Sequence, residues 1–144
     1  MGDTFTVNTM EGCPITYRVT SGGAFPEVEV SCGPKNYKGA VTLPDYVKNP
    51  YNNLVFSVTR MGKQAFEDCK ITSITIGDSV TSIGDKAFEY CTSLFKVYCD
   101  GLEPPSLGSD AFDKCPSDLV ICIPAGTEDA YVAAGWPEAN LFYI

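Results

Sequence analysis

Three copies of one phrase, Gly-x-x-Ala-Phe-x-x-Cys, constrain this chain more than any other feature. They read GKQAFEDC at residues 62–69, GDKAFEYC at 84–91 and GSDAFDKC at 108–115. The three glycines lie 22 and 24 residues apart, a spacing typical of short structural repeats. Upstream of the middle copy, Ile74, Ile76, Val80 and Ile83 lead into Ala87, Phe88 and Cys91 with steps of two, four, three, four, one and three. That series keeps neither the period of a strand nor that of a helix, and a period that keeps switching predicts one coil of a solenoid. Each repeated position carries a demand: a glycine where the chain turns tightly, an alanine where coils approach, a phenylalanine between coils and a small apolar cysteine beneath it. Stacking such coils buries one continuous column that no single coil buries alone.

Each regular coil is expected to hold a strand, a turn and a short helical segment. The strands fall at 73–76, 96–99 and 120–123, paired side by side in a parallel sheet. Alternation along a strand turns Ile74, Ile76, Val97, Cys99, Ile121 and Ile123 inward. The helical segment is expected over 85–90, with Asp85 as its cap. Residues 103–106 (EPPS) break the pattern and predict a loosened third coil. Residues 39–61 read as a first coil with an insertion: Val41-Thr-Leu43 aligns with Ile74-Thr-Ile76, and Val58 to Met61 aligns with Val80 to Ile83. The turn-forming insert KNPYNN (48–53) is a plain connection or, less conservatively, a site of specificity, and 54–57 adds a short strand. Residues 3–38 do not repeat; three alternating stretches around Phe5, Ile15 and Val28 predict an antiparallel meander covering the first open edge. At the other end, Thr127 as N-cap, Glu128 and Asp129 in the first turn and Gly135 as a stop predict a capping helix. Trp136 and the apolar stretch 141–144 are then expected to lie over the last coil. The whole reads as one domain, 1–144: a β cap at 3–38, three to four coils at 39–123 and a C-terminal cap at 124–144.

The phrases TSITIGDSVTSIGDKAFEYCTSL (72–94) and IPAGTEDAYVAAGW (123–136) resemble the BspA-like, or treponemal-type, leucine-rich repeat family, over roughly residue 39 to the end. The resemblance implies a leucine-rich repeat right-handed solenoid of mixed β with short helical segments, a short parallel sheet, an N-terminal β meander cap and a C-terminal helix cap. It also implies a surface or secreted protein of a host-associated organism, bacterial for the most part, with several members acting as adhesins for host matrix proteins. Residues 1–9 (MGDTFTVNT) have neither the basic start nor the apolar segment of a signal peptide. An extracellular or cell-surface location is therefore expected with the leader absent from this chain, a cytoplasmic protein being the alternative.

The residue inventory narrows the chemistry. With no histidine among 144 residues, His-based triads and His-ligated zinc are excluded. No phosphate loop, dinucleotide fingerprint or calcium loop is present, so no cofactor, no metal and no catalytic residue is assigned. Asp110 and Asp113 read as solvent-facing rather than as an acid pair. A formal charge of −8 argues against nucleic acid and anionic membranes as partners, and no apolar run is long enough to span a bilayer. Of the seven cysteines, Cys69, Cys91, Cys115 and Cys99 read as small core residues. Cys13 and Cys32 are free or bridged, depending on the compartment. Cys122 is expected to face outward as an exposed thiol.

The surface left for function is the outward face of the sheet, with Thr42, Ser73, Thr75, Lys96, Tyr98, Val120 and Cys122, and Asp78 and Asp100 at the strand ends. Solenoids bind elongated partners on such faces, and Ser73, Thr75, Lys96, Tyr98 and Val120 are the candidate ligand-binding residues. Tyr98 beside Lys96 is the candidate anchor, its alternative role being to cover neighbouring side chains. Two functions of different class follow. One is a non-enzymatic binding module for a protein or glycan on a host or neighbouring cell, including host extracellular matrix. The other is a structural or self-assembly spacer with weak self-association; an enzyme is a distant third.

Overall fold

The computed structural model describes residues 2–31 and 37–143. Its backbone is built mostly of short strands, which the β-branched runs of the sequence favour. A five-stranded sheet runs β12-β11-β9-β7-β4, with β4 at Lys38–Thr42, β7 at Lys70–Ile76, β9 at Lys96–Cys99, β11 at Val120–Ile123 and β12 at Leu141–Tyr143. Every pairing in it is parallel. A second sheet runs β1-β2-β3-β6-β8-β10, with β5 paired to β6. Its members are β1 (Thr4–Asn8), β2 (Pro14–Ser21), β3 (Glu27–Val30), β5 (Tyr46–Lys48), β6 (Val55–Met61), β8 (Ser82–Ile83) and β10 (Ser106–Leu107). The chain alternates between the two sheets, so each repeat contributes β7 then β8, or β9 then β10. One helix, α1 (Glu128–Ala133), and a 3-10 turn (Glu138–Asn140) lead to β12.

The parallel strands stand in the expected register: Ile74 pairs with Val97 and Val97 with Ile121. Ile74, Ile76, Val97, Cys99, Ile121 and Ile123 are all buried. The first-coil alignment also holds, with Val41 opposite Ile74 and Met61 opposite Ile83. This second alignment forms strands of a second sheet, which the sequence pattern does not announce. Val80 and Ile83 are core positions of that side.

The expected helical segment over 85–90 is absent. The phrase Gly-x-x-Ala-Phe-x-x-Cys instead forms consecutive tight turns, with left-handed backbone at Gln64 and Asp68, at Lys86 and Tyr90, and at Asp110 and Lys114. Its amides alternate in use. Those of Ala65, Glu67 and Cys69 bond to carbonyls three residues back, at Gly62, Gln64 and Phe66. Those of Gln64, Phe66 and Asp68 bond across to Asp85, Ala87 and Glu89 of the next repeat, and Lys86, Phe88 and Tyr90 bond likewise to Ser109, Ala111 and Asp113. A helix would spend every amide within its own segment; here half of them tie repeat to repeat. Asp85 accordingly caps nothing helical, and its carboxylate accepts the Ser109 amide at 2.8 Å.

The repeated glycines serve close approach rather than a special backbone angle. A Cβ at Gly84 would lie 2.6 Å from the Lys63 nitrogen and 2.7 Å from the Gly62 carbonyl carbon, and one at Gly62 would lie 2.9 Å from the Val30 carbonyl oxygen. The phenylalanines then stack. Phe66 and Phe88 have centroids 5.7 Å apart with planes 6° apart, and Phe88 and Phe112 are 5.1 Å and 1° apart. Tyr37 extends the column at one end, and Trp136, itself against Tyr131, extends it at the other. Two of the three repeated cysteines donate their thiols to the phenylalanine carbonyl of the preceding repeat, Cys91 to Phe66 at 2.9 Å and Cys115 to Phe88 at 3.0 Å, while Cys69 of the first copy donates to the Glu67 carbonyl of its own repeat. Polarity, beyond small size, thus accounts for cysteine at this place.

At the N-terminal end the meander is present: β1 pairs antiparallel with β2 and β2 with β3. It continues the second sheet, since β3 pairs in parallel with β6. From the turn after β1, Glu11 reaches edge strand β4 and accepts the amide and the hydroxyl of Thr42. Burial opposes charge on Glu11, yet its hydrogen bonds together, those from Thr42 foremost and then those from its own amide and from Thr9, hold the carboxyl below its ordinary range. The insert after β5 closes a hairpin with β6 and turns through left-handed Asn53. The strand expected over 54–57 is the start of the longer β6. Cys13 is buried; the bridge considered for it involves Cys32, which lies outside the described residues.

The C-terminal end departs from expectation in two details. Thr127 precedes α1, but its hydroxyl donates to the Pro124 carbonyl at 2.6 Å instead of capping the helix. The apolar stretch after Trp136 does not lie over the last repeat; Leu141–Tyr143 extends the parallel sheet as β12. Gly135, with φ 93°, does end the helix: its amide and that of Trp136 bond back to Val132 and Tyr131, the pattern of a glycine-terminated helix. The irregular 103–106 stretch is filled from this end. Tyr131 donates its hydroxyl to the Gly101 carbonyl at 2.7 Å, and the Trp136 indole donates to the Pro105 carbonyl at 3.0 Å.

Two predictions follow from this packing. Phe88 is fully buried in the middle of the column, so Phe88→Ala is expected to cost about 3–5 kcal/mol, whereas Tyr98→Ala on the outer sheet face changes stability by about 0.5 kcal/mol or less; equal losses in denaturant titrations contradict this assignment of faces. The second concerns Glu67, Glu89 and Asp113, which occupy one position in successive repeats. Burial pushes the Glu89 carboxyl above its ordinary range, a hydrogen bond with Glu67 and the charges of Glu67 and Asp113 push the same way, and Lys86 opposes them. A raised acid stabilises the fold when protonated, and that contribution is lost as pH rises through the elevated value. Glu89→Gln is therefore expected to melt higher than the parent near neutral pH and level with it in acid below the carboxylate range.

Candidate binding face on the five-stranded sheet

Parallel pairing sets side chains of equal position side by side. One row on the outward face runs Ala40, Ser73, Lys96, Val120, and the next runs Thr42, Thr75, Tyr98, Cys122, Phe142. All five candidate residues, Ser73, Thr75, Lys96, Tyr98 and Val120, thus meet on one face, and all are half-buried. The Lys96 ammonium lies 5.7 Å from the centre of the Tyr98 ring, within cation–π range. The two belong to one strand two residues apart, so alternation alone places them together.

Cys122 corrects the sequence reading. It sits in the outward row but is only 6% exposed, flanked in register by Tyr98 and Phe142. The cover comes from β12, which the sequence reading placed over the last coil rather than beside β11. Phe142, 53% exposed, is the face residue missed for the same reason; the alternation of 141–143 beside the aligned strands was its signal.

Charge is segregated across the sheet. None of its five strands contains a carboxylate, and β4, β7 and β9 each begin with a lysine: Lys38, Lys70 and Lys96. Asp45, Asp78 and Asp100 lie just past the opposite ends. Burial, and then the charges of Asp45 and Asp78, push the Asp100 carboxyl above its ordinary range. Asp45 accepts a hydrogen bond from the Ser79 hydroxyl at 3.0 Å. Among the described residues no group of three or more potential ligands is arranged to hold a metal ion, and no helix is long and apolar enough to cross a membrane. Asp110 and Asp113 are exposed, as expected.

The buried thiols are poor nucleophiles. Burial pushes Cys99 up to about 12, with the charges of Asp100 and Cys122 adding to it. Burial likewise pushes Cys91 to about 12 and Cys115 to about 11. At neutral pH such groups remain protonated, and the thiolate is the reactive species.

Stacked strands, in-register turns and a repeated aromatic column define a repeat protein of the leucine-rich type. The model of the BspA type leucine rich repeat region, in six copies, matches residues 48–131, and the chain belongs to this family. Among solved structures, a leucine-rich repeat protein from Bacteroides capillosus aligns with a TM-score of 0.55 at 24% identity, covering 83% of this chain and 99% of that one. A leucine rich cell surface protein from Faecalibacterium prausnitzii aligns with a TM-score of 0.55 at 16% identity, covering 96% of this chain and 42% of that one. A leucine-rich repeat protein from Bacteroides ovatus gives 0.53 at 23%, covering 83% and 37%. This chain therefore spans less than half of the latter two proteins. At these identities the likeness is one of fold. No curated protein sequence matches the chain.

The geometry of Cys122 gives a direct check: in the folded protein it is expected to resist alkylation, and Phe142→Ala is expected to render it reactive while Cys91 and Cys99 stay protected, as read by peptide mass mapping. Rapid labelling of Cys122 in the parent chain contradicts its cover by β12.

Proposed function

We propose that this chain is a non-enzymatic recognition module whose outward sheet face binds an elongated protein or glycan partner, host extracellular matrix being the class to test first. The observation that carries the reading is the face itself: two side-chain rows in register, centred on the Lys96–Tyr98 pair, on strands that contain no carboxylate in a chain of charge −8, with Glu11 reaching the face at its β4 edge, on Thr42. A lysine-headed face favours a partner presenting acidic groups, and Tyr98 with Phe142 offers the aromatic surface that dominates contact energy when covered. On this reading the chain is a right-handed solenoid, with the N-terminal meander and the segment from α1 to β12 as its end caps. Its site of action is a cell surface or the extracellular space, in line with the printed description of the Faecalibacterium protein as a cell surface protein. A small face implies that many copies or further domains supply avidity.

A second reading, a spacer that assembles with its own kind, draws on β12. It is one of the two edge strands of the sheet, and Phe142 and Tyr143 on it are exposed. Like charge on every copy opposes such assembly at low salt.

Binding of the chain, clustered to supply avidity, to an array of matrix proteins and glycans tests the first reading. The expected outcome is a ligand whose signal falls roughly tenfold with Tyr98→Ala and with Lys96→Glu and weakens with salt. A blank array together with concentration-dependent size in solution overturns it in favour of assembly.

A further inference from the structure

We propose that the slot between β1 and β5 docks an extended segment of a partner protein, which adds there as a strand. Within the second sheet, β1 pairs with β2, β2 with β3, β3 with β6 and β6 with β5. Ser57 of β6 pairs with Glu27 of β3 and with Tyr46 of β5, so β3 and β5 flank this part of β6 on opposite sides, β8 taking the side of β5 further along, at Arg60 and Met61; β1 and β5 each keep one edge without a partner strand. Those edges do not pair with one another. Residues of both, and of the turns beside them, nevertheless line a single groove of about 280 Å³. The sheet therefore curls until its two ends face each other across a gap.

The gap suits a peptide backbone. Val47 is buried and Val7 packs against the same core, so the floor is apolar. Pro44 contributes a wall, while Met10 and Tyr46 stand on the rim 85% and 66% exposed. A strand laid along the gap meets backbone groups on an edge and pockets for alternate side chains, which are the two elements of recognition by strand addition. The contrast with β4 is informative: there, Glu11 occupies the edge amide of Thr42, and no comparable side chain bonds to the free edge of β1 or β5 among the described hydrogen bonds. β5 is three residues long, so the pairing segment is short.

Charge specifies the occupant. In a chain of net charge −8 the one charged residue in the groove's lining is Lys48, and the Glu11 carboxylate at the Thr42 end is engaged by the Thr42 amide and hydroxyl. The fitting partner alternates apolar residues with polar ones and carries an acidic side chain near Lys48. A second copy of this chain would bring its own excess of negative charge to the same place. The groove borders the outward face of the five-stranded sheet at Thr42 and includes none of the five candidate residues there.

The test is selection of short random peptides on the whole chain, with counter-selection on the Met10→Asp, Tyr46→Asp double variant. Both positions are exposed, so that variant is expected to melt with the parent. The best peptide is then synthesised plain and with alternate backbone nitrogens methylated, and its affinity is measured by fluorescence polarisation. The expected result is an enriched pattern of alternating apolar residues with an acidic one, binding that falls roughly tenfold or more on the double variant and on methylation of one alternating set, and no change with Tyr98→Ala. Amide exchange at residues 7–8 and 46–48 slows on binding. Failure to enrich any peptide, binding indifferent to both methylation registers, or protection of the groove by a second copy overturns the proposal. The methylated peptides test it on the unaltered chain, independently of any variant.

Discussion

The close approach of neighbouring repeats at Gly84 and Gly108, and of the first repeat to β3 at Gly62, is the constraint on which the rest depends. With a Cβ at Gly84 the backbone of the preceding repeat would be overlapped, so only glycine lets repeats meet at the distance where turn amides bond across. That distance also sets the spacing of Phe66, Phe88 and Phe112, whose rings lie nearly parallel. Aromatic contacts of this kind contribute about 0.5–1.5 kcal/mol each beyond the area they bury. The Cys91 and Cys115 thiols then satisfy the Phe66 and Phe88 carbonyls at the base of the column. Glycine, phenylalanine and cysteine are therefore one device, in which each residue needs the other two.

The proposed binding face is a by-product of that device. Because repeats stack in register, residues of equal position form rows, and a modest change within one repeat alters one place in a row without disturbing the core. The inward partners Ile74, Val97 and Ile121 hold the strands, leaving Thr75, Tyr98 and their neighbours free to vary. The ends of the stack are where regularity fails and where other chemistry enters: Glu11 occupies an edge on one side, and Tyr131 and Trp136 satisfy the carbonyls of the irregular 101–105 stretch on the other.

The parallel strands and their inward residues were legible because alternation and alignment both act locally: Ile74-Thr-Ile76 and Ile121-Cys-Ile123 declare themselves. The five face residues followed from the same alternation. The turn ladder over 85–90 was not legible, since its conformation rests on amides bonded to another repeat and on left-handed Lys86 and Tyr90, neither of which a helix-start pattern reveals. β8 and β10 were missed as strands because each is two residues long, below the length at which periodicity speaks. Cys122 was misjudged because its exposure depends on a strand contributed from 141–143, across the intervening helix. Thr127 shows the limit of capping rules, its hydroxyl having a nearer acceptor in Pro124.

The central claim is that the side-chain column and the repeat-to-repeat ladder form one cooperative unit. Native-state hydrogen exchange tests it most directly, by comparing the cross-repeat amides of Phe66 and Phe88 with the strand amides of Ile74 and Val97. The account predicts that all of them exchange through a shared opening with the same denaturant dependence. Exchange of the turn amides by a separate, low-energy local opening, while the strand amides remain protected, would contradict it.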